Sequence, residues 1–271
     1  MNIGFHDSIK HIENYQYNTL QIFTKNPRKY YDKTMEINIQ YKNIIKEKKI
    51  KLFIHTAYGS VLTKNDNNTR RRNMSIINDM IYTHNMGGIG VVVHVGTSLD
   101  DELDNIYNNI KYILSKTKNL NVKLLLENST KTKNGKSVMN TIEDILKIMS
   151  YIKSKSIEIY NNLYFCLDIC HIYVTYKYYN SNMNFIDDMK KIDKKLILVH
   201  FNDAKSDTRD IHADIFTGNI PALNLIEIAR YCNINKIPMI IERYGNPKNE
   251  TEYLKKKINW NKQILDIKSM I

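Results

Sequence analysis

Short apolar runs alternate with longer polar segments along most of the chain. Eight runs carry the pattern: NIGFH at 2–6, TLQIFT at 19–24, KLFIHTAY at 51–58, IGVVVHVG at 89–96, KLLLENS at 123–129, LYFCLDICH at 163–171, LILVHFNDA at 196–204 and IPMIIERYG at 237–245. Their length and β-branched or aromatic content suit buried strands. Between them apolar residues recur at three- and four-residue spacing, as at Leu103, Ile106, Tyr107, Ile110, Ile113 and Leu114, which predicts an amphipathic helix. The same spacing predicts helices over 74–86, 142–159 and 223–232, whereas the interval 7–18 is short and defines its helix least.

Near-continuous apolar strands alternating with helices imply a parallel sheet covered on its outer face. Eight such units in 271 residues suit a closed (β/α)8 TIM barrel, in the α/β class. An open doubly wound sheet is the alternative, but no glycine-rich dinucleotide fingerprint follows the first run. Linkers and low-complexity blocks are absent, so residues 1–271 are expected to form a single barrel domain.

The ends of the runs carry the chemistry. His55 ends the third, His94 the fourth, Glu127 the fifth, Asp168 and His171 the sixth, His200 the seventh and Glu242 the eighth. In a barrel the C-terminal strand ends converge on one face, so these residues would share a pocket. Burying several carboxylates together is unfavourable unless a cation neutralises them. The segment AKSDTRDIHADIFTG adds Asp210 and His212, whose two-residue spacing puts both on one side of an extended backbone. Imidazoles with carboxylates suit zinc or a similar divalent ion, and nine candidates imply more than one. A single histidine at a strand end is more often structural than ligating; five of the eight histidines falling in this set is the informative feature. His6 ends the first run as a supporting group, while His11 and His84 read as ordinary helix histidines. In the sixth run, Asp168 is expected to finish the strand and His171 to follow from a loop at the rim.

Composition adds a partner. Forty Lys and Arg against 28 Asp and Glu give a formal charge of +12, which attracts polyanions, with nucleic acid first and an anionic membrane surface second. Charge alone does not decide, because the abundance of Asn, Lys, Ile and Tyr resembles coding from an AT-rich genome. Lys25, Arg28 and Lys29 follow the second run, on the face expected to hold the metals, where they could contact phosphates. The runs Arg70 to Arg72 and Lys255 to Lys257 read as solvated faces. Cys166, Cys170 and Cys232 form no disulfide framework and suit a reducing compartment. The first two read as small apolar fillers despite their closeness to His171. Without a signal-peptide pattern or a membrane-length apolar run, the expectation is a soluble intracellular protein, in the cytoplasm or wherever the genome is replicated, with no membrane partner.

The ordered motifs QIFTKNPRKY (21–30), HTAY (55–58), VVVHVG (91–96), LLLENS (124–129), CLDICH (166–171), HFNDAK (200–205) and IIER (240–243) span nearly the whole chain. In them the sequence resembles the endonuclease IV family of zinc-dependent apurinic/apyrimidinic endonucleases. The resemblance implies three zinc ions: one on His55, His94 and Glu127, a second on Glu127, Asp168, His200 and Glu242, a third on His171, Asp210 and His212. Glu127 and Glu242 become the catalytic carboxylates, the first bridging two ions, the second orienting the attacking water. Arg28 and Tyr58 match positions that enter the DNA at the lesion, alongside Lys25 and Lys29 as DNA contacts. The implied reaction is hydrolysis of the phosphodiester 5′ to an abasic site in double-stranded DNA, leaving a 3′-hydroxyl and a 5′-deoxyribose phosphate in base excision repair. Trimming of blocked 3′ ends could accompany it, and a monomer is implied.

The sequence departs from the family in HADIFTGNIP after Asp210, in Glu242-Arg243-Tyr244, and at Gly59, where the family often places a bulkier side chain. These changes spare the ligands and bear on substrate contacts. A metal-dependent sugar isomerase or epimerase on the same barrel is one alternative. A catalytically inactive homologue that binds abasic DNA is another.

Overall fold

The computed structural model describes residues 18–97, 103–131, 138–242, 267 and 269. Seven strands line up in one parallel sheet in the order β1 (Thr19–Phe23), β2 (Lys51–His55), β3 (Gly90–His94), β4 (Lys123–Glu127), β5 (Leu163–Asp168), β6 (Leu196–His200) and β9 (Met239–Ile240). Sequential parallel neighbours joined by helical crossovers make this the TIM-barrel fold. The run at 2–6, expected as the first of the eight strands, lies outside the described residues. At the two ends of the sheet, β1 and β9 approach each other, and Gln21 Nε2 donates to Glu242 Oε1 at 3.1 Å. A short antiparallel pair, β7 (Asp203–Ala204) with β8 (His212–Ala213), follows β6.

Eight helices are described: α1 (Ile39–Glu47), α2 (Thr69–Met86), α3 (Leu103–Thr117), α4 (Ile142–Lys155), α5 (Ile157–Asn161), α6 (Ile169–Tyr179), α7 (Phe185–Lys191) and α8 (Ala222–Ile234). Local chemistry sets several boundaries. Gly87, at φ 75°, closes α2 in the left-handed conformation that glycine adopts without a steric cost. Thr141 and Asp144 form a reciprocal capping box at the start of α4. The single helix expected over 142–159 is broken at Ser156, whose extended backbone ends α4 and whose hydroxyl caps α5 by accepting from Ile159 N. α1, α6 and α7 were not among the helices expected from spacing.

Apolar faces of the helices pack on the sheet from outside, through Ile76 and Met80 of α2, Ile106, Ile110 and Ile113 of α3, and Ile145 and Ile148 of α4. A second, smaller cluster of Phe53, Val92, Leu125, Cys166 and Leu198 fills the barrel interior. Cys166 therefore serves as a buried apolar side chain, its thiol pushed up to about 12 by burial.

Candidate metal centre

Strand alternation explains why donors gather where they do. Each residue of the inner cluster is followed two positions later by a candidate ligand: Phe53 by His55, Val92 by His94, Leu125 by Glu127, Cys166 by Asp168 and Leu198 by His200. Period-two geometry turns both members of each pair inward, one layer apart. Ile240, packed against the same cluster, precedes Glu242 in the same way. Register then aligns the upper layer, placing His94 beside Glu127 and Asp168 beside His200.

Glu127 lies at the centre, 1% exposed. Its Oε2 lies 2.9 Å from His55 Nε2 and 3.5 Å from His94 Nε2, and its Oε1 lies 3.0 Å from His200 Nδ1. His200 Nδ1 is also 3.4 Å from Glu242 Oε2 and 3.8 Å from Asp168 Oδ2. Asp210 bridges the outer pair, its oxygens 3.1 Å from His171 Nε2 and 3.2 Å from His212 Nε2. Donor atoms of His55, His94 and Glu127 fall within 4.8 Å of one another, as do those of Glu127, Asp168, His200 and Glu242. So do those of Asp168, His171 and His212, and those of Cys170, Asp210 and His212. All nine expected ligands thus fall in groups linked by shared members.

The electrostatics of the cluster follow from crowding. Burial alone would raise the Glu127 carboxyl, but the imidazoles of His94, His200 and His55 outweigh it and hold the group well below the usual carboxylate range. For His171 and His200 burial acts downward, yet facing acidic groups win and hold both imidazoles well above their ordinary value. The same balance raises His55 and His212 and lowers Asp210. His94 differs: burial and the neighbouring imidazoles push it down to about 4. Carboxylate oxygens and imidazole nitrogens face one another here in sets that would suit divalent cations, and the nitrogen and oxygen donors fit zinc.

His171 corrects one expectation. It lies on the first turn of α6, not in a loop, because β5 runs directly into that helix and Asp168 is its N-cap, accepting from His171 N at 3.0 Å. One carboxylate thereby offers an oxygen to the cluster and starts the helix that carries the next ligand. Cys170, buried beside it, has its thiol pushed up by burial and by Asp168 and Asp210.

Sequence reasoning missed the amides that hold the ligands. Gln21 Oε1 accepts from His200 Nε2 at 2.9 Å while its Nε2 donates to Glu242 Oε1 at 3.1 Å. Asn202 donates to Asp168 Oδ2 at 2.7 Å and to Glu242 Oε2 at 3.3 Å, and its own Oδ1 accepts from Glu242 N at 2.8 Å. Asn128 accepts from Asp168 N at 2.6 Å and donates back to Asp168 O at 3.2 Å. Gln21 has the inward parity of the ligands, a signal available in the sequence. Asp203 organises the loop bearing Asp210 and His212, accepting from the backbone amides of Ala204, Gly218 and Ile220 at 2.7, 2.8 and 3.1 Å.

Of the expected DNA contacts, Arg28 and Lys29 are exposed on the turn after β1, and Tyr58 is 50% exposed, its ring centroid 6.0 Å from that of His55 and 5.9 Å from that of His94. Lys25 does not join them. Its side chain is 2% exposed and its ammonium lies 2.7 Å from Asp79 Oδ1 and 3.1 Å from Ser75 Oγ, so it cannot reach a phosphate. Arg72 is likewise engaged, 2.6 Å from Asp66 Oδ1.

Comparison with known proteins agrees with the barrel fold. The family model described as xylose isomerase-like TIM barrel matches residues 9–264. A protein of Acanthamoeba polyphaga mimivirus named as an endonuclease 4 is 27% identical, the match covering 99% of this chain and 90% of that one. Among solved structures, endonuclease IV from Thermus thermophilus superposes with a TM-score of 0.73 at 18% identity, covering 98% of this chain and 96% of that one. A D-tagatose 3-epimerase-like protein superposes at 0.69 with 21% identity, covering 98% and 96%; likeness at these identities carries the fold alone.

Proposed function

The chain belongs to the xylose isomerase-like TIM barrel family and within it to the endonuclease IV family, and from that premise we propose that it is a zinc-dependent endonuclease acting at abasic sites in duplex DNA. The observation that carries the reading is the convergence of five imidazoles and four carboxylates, with Glu127 at their centre, on one face of the barrel, beside exposed Arg28, Lys29 and Tyr58. In this reading His55, His94 and Glu127 would hold one zinc, Glu127, Asp168, His200 and Glu242 a second, and His171, Asp210 and His212 a third. When bound, zinc supplies Lewis acidity and lowers the pKa of water to about 7.

The residues of the chain then have separable tasks. Glu127, touched by three imidazoles, would serve as a ligand common to the two inner groups. Glu242, steadied by Gln21 and Asn202, orients the attacking water and accepts its hydrogen bond. Hydrolysis forms a bond from water oxygen to phosphorus and breaks the bond to the leaving 3′-oxygen, which takes up a proton. Arg28 and Lys29 pair with phosphates, and Tyr58 enters the gap at the missing base, where extruding the nucleotide costs least.

The test is incubation of zinc-loaded protein with a duplex carrying one tetrahydrofuran abasic analogue, which cannot undergo β-elimination. Metal-dependent incision immediately 5′ to the analogue, leaving a 3′-hydroxyl that a polymerase extends, is the expected result. No incision with metal occupancy verified would overturn the reading, and turnover of a free ketose under the same conditions would assign the barrel to sugar chemistry.

A further inference from the structure

The inward parity that gathers donors at one end of the barrel gathers lysines at the other. Glu127 is preceded at two-residue steps by Leu125 and Lys123, His55 by Phe53 and Lys51, and Asp168 by Cys166 and Tyr164. Lys195 stands two residues before Ile197, which packs on the same inner cluster, and its carbonyl accepts from Phe165 N at 2.8 Å, fixing it beside the start of β5. Along β4, about 13 Å of strand separates Lys123 from Glu127, with the apolar cluster between the two layers.

Cations and rings alternate across this end. The Lys153 ammonium lies 5.5 Å from the Tyr160 ring centroid, that of Lys195 4.5 Å from Tyr160 and 5.0 Å from Tyr164, and that of Lys123 4.6 Å from Tyr164. Lys195 also donates to the carbonyls of Tyr160 and Asn161, at 2.7 and 3.1 Å. Rings and carbonyls are neutral, so they hold the ammoniums in place without cancelling their charge. Among the described residues no carboxylate pairs with Lys123, Lys153 or Lys195, whereas Lys155 pairs with Asp104, and Lys191 with Glu143 and Asp188. Burial and the neighbouring Lys123 ammonium both lower the Lys195 ammonium from its ordinary value, a conflict that a bound anion would relieve. A line of uncancelled cations suits phosphates spaced along a chain, and the ring faces that would enter a lipid interface are occupied by ammoniums.

We propose that Lys153, Lys195 and Lys123, set on Tyr160 and Tyr164, form a second phosphate-binding strip at the N-terminal end of the barrel, which takes the backbone of a nucleic-acid segment. The strip lies apart from the metal centre and needs only phosphodiester charge, so it does not depend on the abasic-site reading.

The experiment uses the zinc-loaded protein and a short undamaged duplex. Lysine acetylation, read by mass spectrometry, reports which side chains the duplex covers, with Lys29 as the reporter for the metal face. Lys123 and Lys153 are expected to become protected, and protein held on a bead-bound duplex is expected to capture a second, labelled one. In Lys123→Gln/Lys153→Gln capture should weaken, and the slope of its log affinity against log salt should fall by about two units, one for each phosphate contact removed. Lys123→Arg/Lys153→Arg should keep both capture and slope, because the charge is retained. An unchanged slope in the glutamine variant, or a duplex that protects Lys29 and leaves Lys123 and Lys153 open, would overturn the proposal. Protection by tripolyphosphate alone would also overturn it, assigning the strip to free phosphates, as would protection by phosphatidylglycerol vesicles alone, assigning it to a membrane surface. Failure of abasic-site incision would bear on the metal face and leave each of these outcomes as it stands.

Discussion

Lys25 shows how a charge can be decisive without facing the substrate. It sits in the loop of Arg28 and Lys29, but its ammonium is spent on Asp79, whose carboxyl burial pushes up despite the lysine beside it. Replacing one partner of a buried pair leaves the other uncompensated, which typically costs about 3–5 kcal/mol. Lys25→Met is therefore expected to lower the denaturant midpoint strongly, and the paired change Lys25→Met/Asp79→Leu to recover much of the loss. Because Lys25 touches no phosphate, the salt dependence of duplex binding by folded Lys25→Met should keep the wild-type slope. A slope reduced by about one unit would restore Lys25 to the list of phosphate contacts. The amides of Gln21 and Asn202 act at the same scale. Orienting partners of metal ligands commonly contribute 10- to 100-fold, roughly, in affinity or activity, so Asn202→Ala, which frees both Asp168 and Glu242, is expected to lose zinc affinity by about that factor in a competition titration against a chelator. Affinity equal to wild type would show that the ligands need no such support.

Among elements, the loop between β7 and α8 depends most on a single residue. A Cβ on Gly218 would overlap the Asp203 carboxylate and stand 2.5 Å from Ala204 O, so Gly218→Ala must displace the strand pair that aims Asp210 and His212. The expected result is loss of one zinc per chain by elemental analysis, with the metals on the inner ligands retained; full zinc content would refute this account of the loop. The strands themselves were legible in the sequence because burial on both faces leaves an apolar run that only turns interrupt, and the clustering of the candidate ligands was legible because they sit at the parity and the end that a barrel turns inward. The break between α4 and α5 was not, since the apolar spacing continues through Ser156 and only its backbone changes. Nor was the helical setting of His171: LYFCLDICHIY reads as one apolar run, and what divides it is Asp168 capping a helix whose first turn is as buried as the strand before it. Lys25 escaped for the converse reason. Its partner Asp79 lies 54 residues away on α2, and no local pattern announces a tertiary ion pair.

For the whole molecule, the raised histidines are expected to set the stability of the fold against the proposed metal binding along the pH axis. His171 and His200 have folded-state values above the unfolded one, so without metal their ion pairs contribute stability fully at pH below the unfolded value, and that contribution is lost as pH rises through the folded values. A ligating imidazole must be neutral, so metal binding displaces those protons and strengthens over the same rise. His94, held down to about 4, is already neutral at pH 7 and releases nothing there. Zinc loading at pH 7 is accordingly expected to release protons, seen as a binding enthalpy that varies with the ionisation enthalpy of the buffer, and to release fewer once pH exceeds the folded values. The gap in Tm between zinc-loaded and zinc-free protein should widen from pH 6 upward, because the metal-free form loses its histidine pairs while the loaded form gains affinity. A gap independent of pH, with no proton release, would mean that the imidazoles are neutral before metal arrives and that the carboxylates around them carry their charge unaided.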